Sequence, residues 1–136
     1  MLSNAIMPYL TYDDPKGAIE WLGKAFGAER IDVGDEGEDD IQHAELKIGN
    51  GVVLLTATDG GGALPMRSPQ QTSFSSQGVF VRIEKADIDA HYERAVAAGA
   101  EVLYPLQDMG YYDSREYTCT DPEGHLWSFG TYNPGK

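Results

Sequence analysis

Residues 111–132 read YYDSREYTCTDPEGHLWSFGTY, and this stretch decides the fold. Aromatic and β-branched residues crowd both arms, which is the composition of strands. Between the arms, Asp121-Pro122-Glu123-Gly124 reads as a tight turn. Pro122 presets the backbone of the turn's second residue, and Gly124 occupies a position where a side chain would be strained. Because strand side chains alternate, Arg115, Tyr117 and Cys119 share one face of the first arm, and Glu116, Thr118 and Thr120 share the other.

Working outward, the same kind of unit occurs twice. Residues 4–12, NAIMPYLTY, predict a first strand, with Pro8 pointing to a sheet edge or bulge because it has no backbone donor. Asp13 or Asp14 then caps a helix with Pro15 in its first turn, where a missing N–H costs nothing. Ala18, Ile19, Leu22, Ala25 and Phe26 fall on one helical face, with Trp21 at its margin, and Gly27 closes the helix. A short strand over 28–33 and a flexible acidic connection over 34–40 follow. Strands over 41–48 and 52–58 are joined by an Asn50-Gly51 turn. After a Gly-, Pro- and Ser-rich linker over 59–77, the order returns. Residues 78–84 form a strand with Val79, Val81 and Ile83 opposite Phe80 and Arg82. Asp87 opens a helix with Ile88, Tyr92, Ala95 and Val96 as its stripe, and Gly99 stops it. His91 beside that stripe reads as a surface residue. A strand over 101–106 leads into the terminal hairpin. The helix ends match, Ala25-Phe26-Gly27-Ala28-Glu29 against Ala97-Ala98-Gly99-Ala100-Glu101. Repetition of one supersecondary unit gives the fold class. It is α+β, two β-α-β-β-β modules (4–58 and 78–132) forming one domain around a cleft, paired within the chain or with a second chain.

The chain has 136 residues, a formal charge of −12 and one cysteine. That length buries a core without staples, and a lone Cys119 excludes a disulfide framework and a Cys-rich zinc site. The acidity argues against nucleic acid and against an anionic membrane surface, both of which need clustered Lys and Arg. No apolar run reaches membrane-spanning length, and the first residues carry no basic-then-apolar leader pattern, so a cytoplasmic protein is expected.

These features together resemble the vicinal oxygen chelate superfamily, which includes glyoxalase I, the bleomycin-resistance proteins and the extradiol dioxygenases. Its marks here are the doubled module, the Gly-Ala-Glu helix ends and the DPEGHLWSF terminus, with HAELKIG before the first hairpin most similar to the small bacterial bleomycin-resistance-like branch. The resemblance implies paired curved mixed sheets, a homodimer, a small-molecule partner and, in metal-dependent members, His and Glu ligands on four strands. Counting from the helix caps and the final turn puts Met7, Leu54, Val79 (or Phe80, one residue on) and Ser128 at those positions. None is a good ligand for a divalent ion, which imidazole and carboxylate bind best. No cofactor is expected, although a relocated divalent metal site stays open as an alternative.

Three further groups are candidates, each with a plainer reading beside it. His43 and Glu45 share a strand face and, with His125, would make an alternative metal or acid–base site, as in a lyase, isomerase or dioxygenase; an exposed strand face gives the same pattern. Arg115, framed by Tyr111, Tyr112 and Tyr117, would hold an anionic or planar ligand; an ion pair with Asp113 or Glu116 is the alternative. Tyr9, Phe80, Trp127 and Phe129 would line an aromatic cleft, or fill the core. The expected protein is a metal-free, glyoxalase-like binder of a small, partly aromatic compound. Its candidate contacts are Tyr9, His43, Glu45, Phe80, Tyr112, Arg115, Tyr117, Trp127 and Ser128, with no catalytic residue assigned.

Overall fold

Eleven elements run in the order β1 (Tyr9–Tyr12), α1 (Pro15–Phe26), β2 (Glu29–Arg30), β3 (His43–Ile48), β4 (Gly51–Ala57), α2 (Pro69–Thr72), β5 (Gly78–Arg82), α3 (Ile88–Ala97), β6 (Glu101–Asp108), β7 (Arg115–Thr120) and β8 (Leu126–Gly130) among the described residues. The structure, a computed structural model, describes residues 4–32, 41–58 and 65–135. The acidic connection over 34–40 and the glycines at 60–62 lie outside them. Two four-stranded mixed sheets result, ordered β1-β4-β3-β2 (sheet A) and β5-β8-β7-β6 (sheet B). In each, the first strand is an edge and runs parallel to the last, which is the doubled module read from the sequence.

Local chemistry explains most boundaries. Asp14 caps α1 through its side chain, which accepts from the Gly17 N–H, and Gly27 ends the helix in the left-handed region at φ 74°. Pro8 sits just before β1 rather than within it, so the strand is shorter than predicted. The first hairpin turns on Gly49-Asn50, with Ile48 opposite Gly51, one residue earlier than the Asn50-Gly51 signal; Gly49 takes the positive φ of 57°. The linker contains a turn of helix, α2, capped by Ser68. In α3, Ile88 and Ala95 are buried, but Val96 is 46% exposed and leaves the predicted stripe.

Each sheet has a packed face and an open one. Leu10, Ala44, Leu46, Val53 and Leu55 of sheet A and Val81, Tyr117, Cys119, Trp127 and Phe129 of sheet B belong to a single buried cluster with residues of both long helices. Phe26 joins the modules: from the end of α1, its ring lies 4.5 Å from Phe129 and 5.3 Å from Trp127. The Trp21 Nε1–H donates to the Ala98 carbonyl at the end of α3 (2.9 Å), and Arg94 of α3 donates to the Lys24 carbonyl (2.8 Å). The last carbonyls of each helix are thus satisfied by the other.

Candidate functional site

The sequence-derived candidates divide between the packed and open faces. On the open face of sheet A, Tyr9 of β1 stands opposite Leu54 of β4, and Glu45 of β3 stands opposite Leu54 from the other side. His43 follows two residues before Glu45 on the same face. Its Nε2 lies 3.8 Å from the Glu45 carboxylate, with both side chains nearly half exposed. A solvated pair of that kind contributes little stability. On the open face of sheet B, Phe80 of β5 stands opposite Ser128 of β8, and Thr118 of β7 stands opposite Ser128. The Ser128 and Thr118 hydroxyls share a hydrogen bond of 2.7 Å. Val79 lies on the other face opposite the buried Trp127, while Phe80 shares a row with Ser128. Met7 precedes β1 altogether, and Tyr9 takes the place opposite Leu54.

Four expectations are corrected. His125 does not join His43 and Glu45. It is buried with its ring 4.5 Å from Tyr12, and its Nε2–H donates to the Thr11 carbonyl of β1 at 2.7 Å. Arg115 faces the helices rather than a cleft, and its partners are Asp89 of α3 (2.9 Å) and Asp108 of β6 (3.3 Å), not Asp113 or Glu116. Tyr117 and Trp127 are core residues, fully buried on the packed face. His91 is not a surface residue. Its ring packs against Phe129 at 4.4 Å and lies near-parallel to Phe26 at 6.1 Å, its Nδ1 is 2.7 Å from the Tyr117 hydroxyl, and burial pushes its pKa down to about 4. Cys119 is the buried hydrophobe expected, with burial pushing its thiol up to about 12.

Two groups escaped the sequence reading. The first is the carboxylate pair of the terminal turn. Asp121 is buried and accepts from the Tyr12 hydroxyl (2.5 Å), the Trp127 Nε1–H (3.1 Å) and the His125 N–H (3.0 Å). Glu123 accepts the Asp13 and Asp14 N–H groups (2.6 and 2.8 Å) and so closes the start of α1. The second group is Glu116 with its aromatic neighbours on the open face of sheet B. The Tyr112 hydroxyl donates to the Glu116 carboxylate at 2.9 Å, which pushes the phenol up to about 12. Tyr112 meets Tyr111 and Tyr132 edge to face, at 5.1 and 5.6 Å. A Cβ on Gly130 would meet Glu116 Cγ at 2.5 Å and Phe80 Cζ at 2.9 Å, so both side chains lie over the bare glycine backbone. The alternation of β7 already put Glu116 on this face; what it lacked was the knowledge of which face is open.

Between the modules, the β3–β4 turn and the edge of β5 enclose a groove of about 920 Å³, with Phe26, Val53, Val81 and His91 among its walls and Phe80 and Arg82 at its rim. Phe80 and Val79 are among its lining residues, whereas Tyr9, Glu45 and Ser128 are not.

A doubled βαβββ order folded into two four-stranded mixed sheets defines a paired-module class of fold. The family model described as the Glyoxalase/Bleomycin resistance protein/Dioxygenase superfamily matches residues 4–129, and the chain belongs to that family. An uncharacterized protein of Mycobacterium bovis is 33% identical over 126 residues, covering 93% of this chain and 82% of that protein. The crystal structure of TioX from Micromonospora sp. ML1 superimposes with a TM-score of 0.73 at 30% identity, covering 96% of this chain and 98% of that one. The fosfomycin resistance protein FosX from Listeria monocytogenes superimposes with a TM-score of 0.66 at 17% identity, covering 100% of this chain and 96% of that one, and shares the fold. A FosX structure has been solved with Mn(II), so the fit of a metal here needs testing on this chain's own residues. On the open strand faces, Tyr9, Leu54, Phe80 and Ser128 present a phenol, an isobutyl group, a phenyl ring and one hydroxyl. No three His, Cys, Asp or Glu side chains among the described residues are grouped to hold an ion. Imidazole and carboxylate, the usual ligands of a divalent ion, are absent from these four positions.

Proposed function

We propose that this protein binds a small, partly aromatic compound without a metal, on the open face of sheet B, with sheet A of a second copy closing over it. The observation that carries the reading is the strand register. It brings Tyr9 beside Leu54 and Phe80 beside Ser128, a flat and apolar surface with a hydroxyl that fixes orientation. Tyr9 and Phe80 are 45% and 46% exposed, and aromatic surface left open on a strand face is a common mark of a binding surface. The alternative, a relocated metal site, loses its third ligand with His125 committed to Thr11. The test is calorimetric titration of the purified protein with naphthol in EDTA. Binding unaffected by EDTA and weakened roughly tenfold by Phe80→Ala is expected, the loss of one aromatic contact. Binding that appears only when Mn²⁺, Zn²⁺ or Ni²⁺ is added would overturn the metal-free reading.

A further inference from the structure

The sequence alone suggests a cationic binding group, Arg115 among tyrosines. In the fold the sign is reversed. Arg115 turns to the helix side and is held by Asp89 and Asp108, while its neighbour Glu116 occupies the open face. Around Glu116 stand Tyr112, whose hydroxyl it accepts, and Phe80, which shares the Gly130 floor. Tyr111 and Tyr132 extend the aromatic wall from Tyr112 by edge-to-face contacts at 5.1 Å and 5.6 Å. Tyr111 is 86% exposed and Tyr132 40%, so these ring faces are not spent on the core. The nearby cation on β5, Arg82, is paired with Glu84 at 2.6 Å.

An aromatic ring presents a negative face, and several rings beside a carboxylate make a surface that attracts alkylammonium groups more than neutral groups of the same shape. The Tyr112–Glu116 bond fixes both partners before any ligand arrives, which lowers the cost of ordering them. The net charge of −12 adds a long-range attraction of the same sign. The geometry points to an organic-cation site: the compound held on this face carries an alkylated ammonium group, seated against Tyr112, Tyr132 and Glu116, with its flat portion along Phe80. This deepens the proposed binding function and rests on it.

The test compares naphthylmethyl-trimethylammonium with neopentylnaphthalene, its neutral carbon isostere, by calorimetry on the full chain. The ammonium compound is expected to bind roughly tenfold more tightly, in line with a partly desolvated cation–π contact plus a carboxylate. That advantage disappears in Glu116→Gln, which keeps the side-chain shape and an acceptor for Tyr112, and shrinks in Tyr112→Leu. It also declines with added salt, as an exposed charge pair requires. Equal affinity for the two compounds, or an advantage that survives Glu116→Gln, overturns the cation site and leaves the binding function standing. Absence of binding by both compounds and by naphthol overturns the two together. Unchanged thermal melting of Glu116→Gln separates loss of the site from loss of the fold.

Discussion

His91 shows how a residue's surroundings reverse the role its type suggests. Packed against Phe129 and beside Phe26, with Nδ1 at the Tyr117 hydroxyl, it is held neutral because burial depresses its pKa from 6.5 to about 4. Between those values the unfolded chain binds a proton that the folded chain does not. Stability therefore falls as pH drops from about 6.5 toward 4, is fully retained above that window, and changes no further below it through this group. Discounted for the ring's residual solvent access, the loss is on the order of 2 kcal/mol. Urea midpoints at neutral pH and at the acid end of the window measure it. His91→Gln is expected to flatten that part of the profile, and an unchanged slope in the variant would assign the acid sensitivity to other groups. Nothing in the local sequence signalled this. His91 lies next to an apolar stripe on α3, and only the arrival of Phe26 from the other module turns that margin into core.

At the scale of elements, the terminal hairpin is a fastener as well as a pair of strands. Its turn reaches the first module through two carboxylates: Asp121 takes the Tyr12 hydroxyl at the end of β1, and Glu123 takes the N–H groups of Asp13 and Asp14 before α1. Ser68 ahead of α2 adds a bond to Asp13 at 2.8 Å, so linker, first helix and last turn meet at one point. A buried carboxylate that loses a donor bears the desolvation cost of the missing bond. Tyr12→Phe is therefore expected to destabilise the chain by about 1–3 kcal/mol in urea unfolding, with the ring's packing intact. A change under about 0.5 kcal/mol, the level of an ordinary surface substitution, would show that the turn is not fastened through Asp121. The hairpin itself was legible, because its turn residues and alternation are local facts, and so was the doubled module, because its caps repeat. The fastening was not: Tyr12 and Asp121 are 109 residues apart, and no periodicity reports a pairing at that range. Faces were legible only in part. Alternation separated Arg115 from Glu116, but which of them meets the helices depends on Asp89 of α3 and on the packing of the sheet. For that reason Arg115, Tyr117 and Trp127 were drawn into a cleft they do not line.

For the whole molecule, the two modules are joined back to back through one core, with Phe26 of the first seated on Trp127 and Phe129 of the second. That arrangement uses the packed faces and, among the described residues, leaves Tyr9 and Phe80 on the other two 45% and 46% exposed. Tyr9 and Leu54 on one, and Phe80 and Ser128 on the other, belong to different sheets. A second copy related by a two-fold axis would bring sheet A of each chain onto sheet B of the other, making two equivalent sites, the self-complementary closure common among homo-oligomers. On this reading the open faces are half-sites, and binding and dimerisation are linked, since a compound lying between the sheets favours the assembled state by mass action. Light scattering with size-exclusion chromatography at tens of micromolar is expected to give a dimer. Leu54→Glu, a charge placed in the middle of sheet A's open face, is expected to give a folded monomer with naphthol affinity reduced at least tenfold, the cost of an unpaired charge in a desolvated contact. A monomeric wild-type protein that still binds naphthol would place the whole site on sheet B alone. A Leu54→Glu variant that remains dimeric would move the interface away from the open face of sheet A.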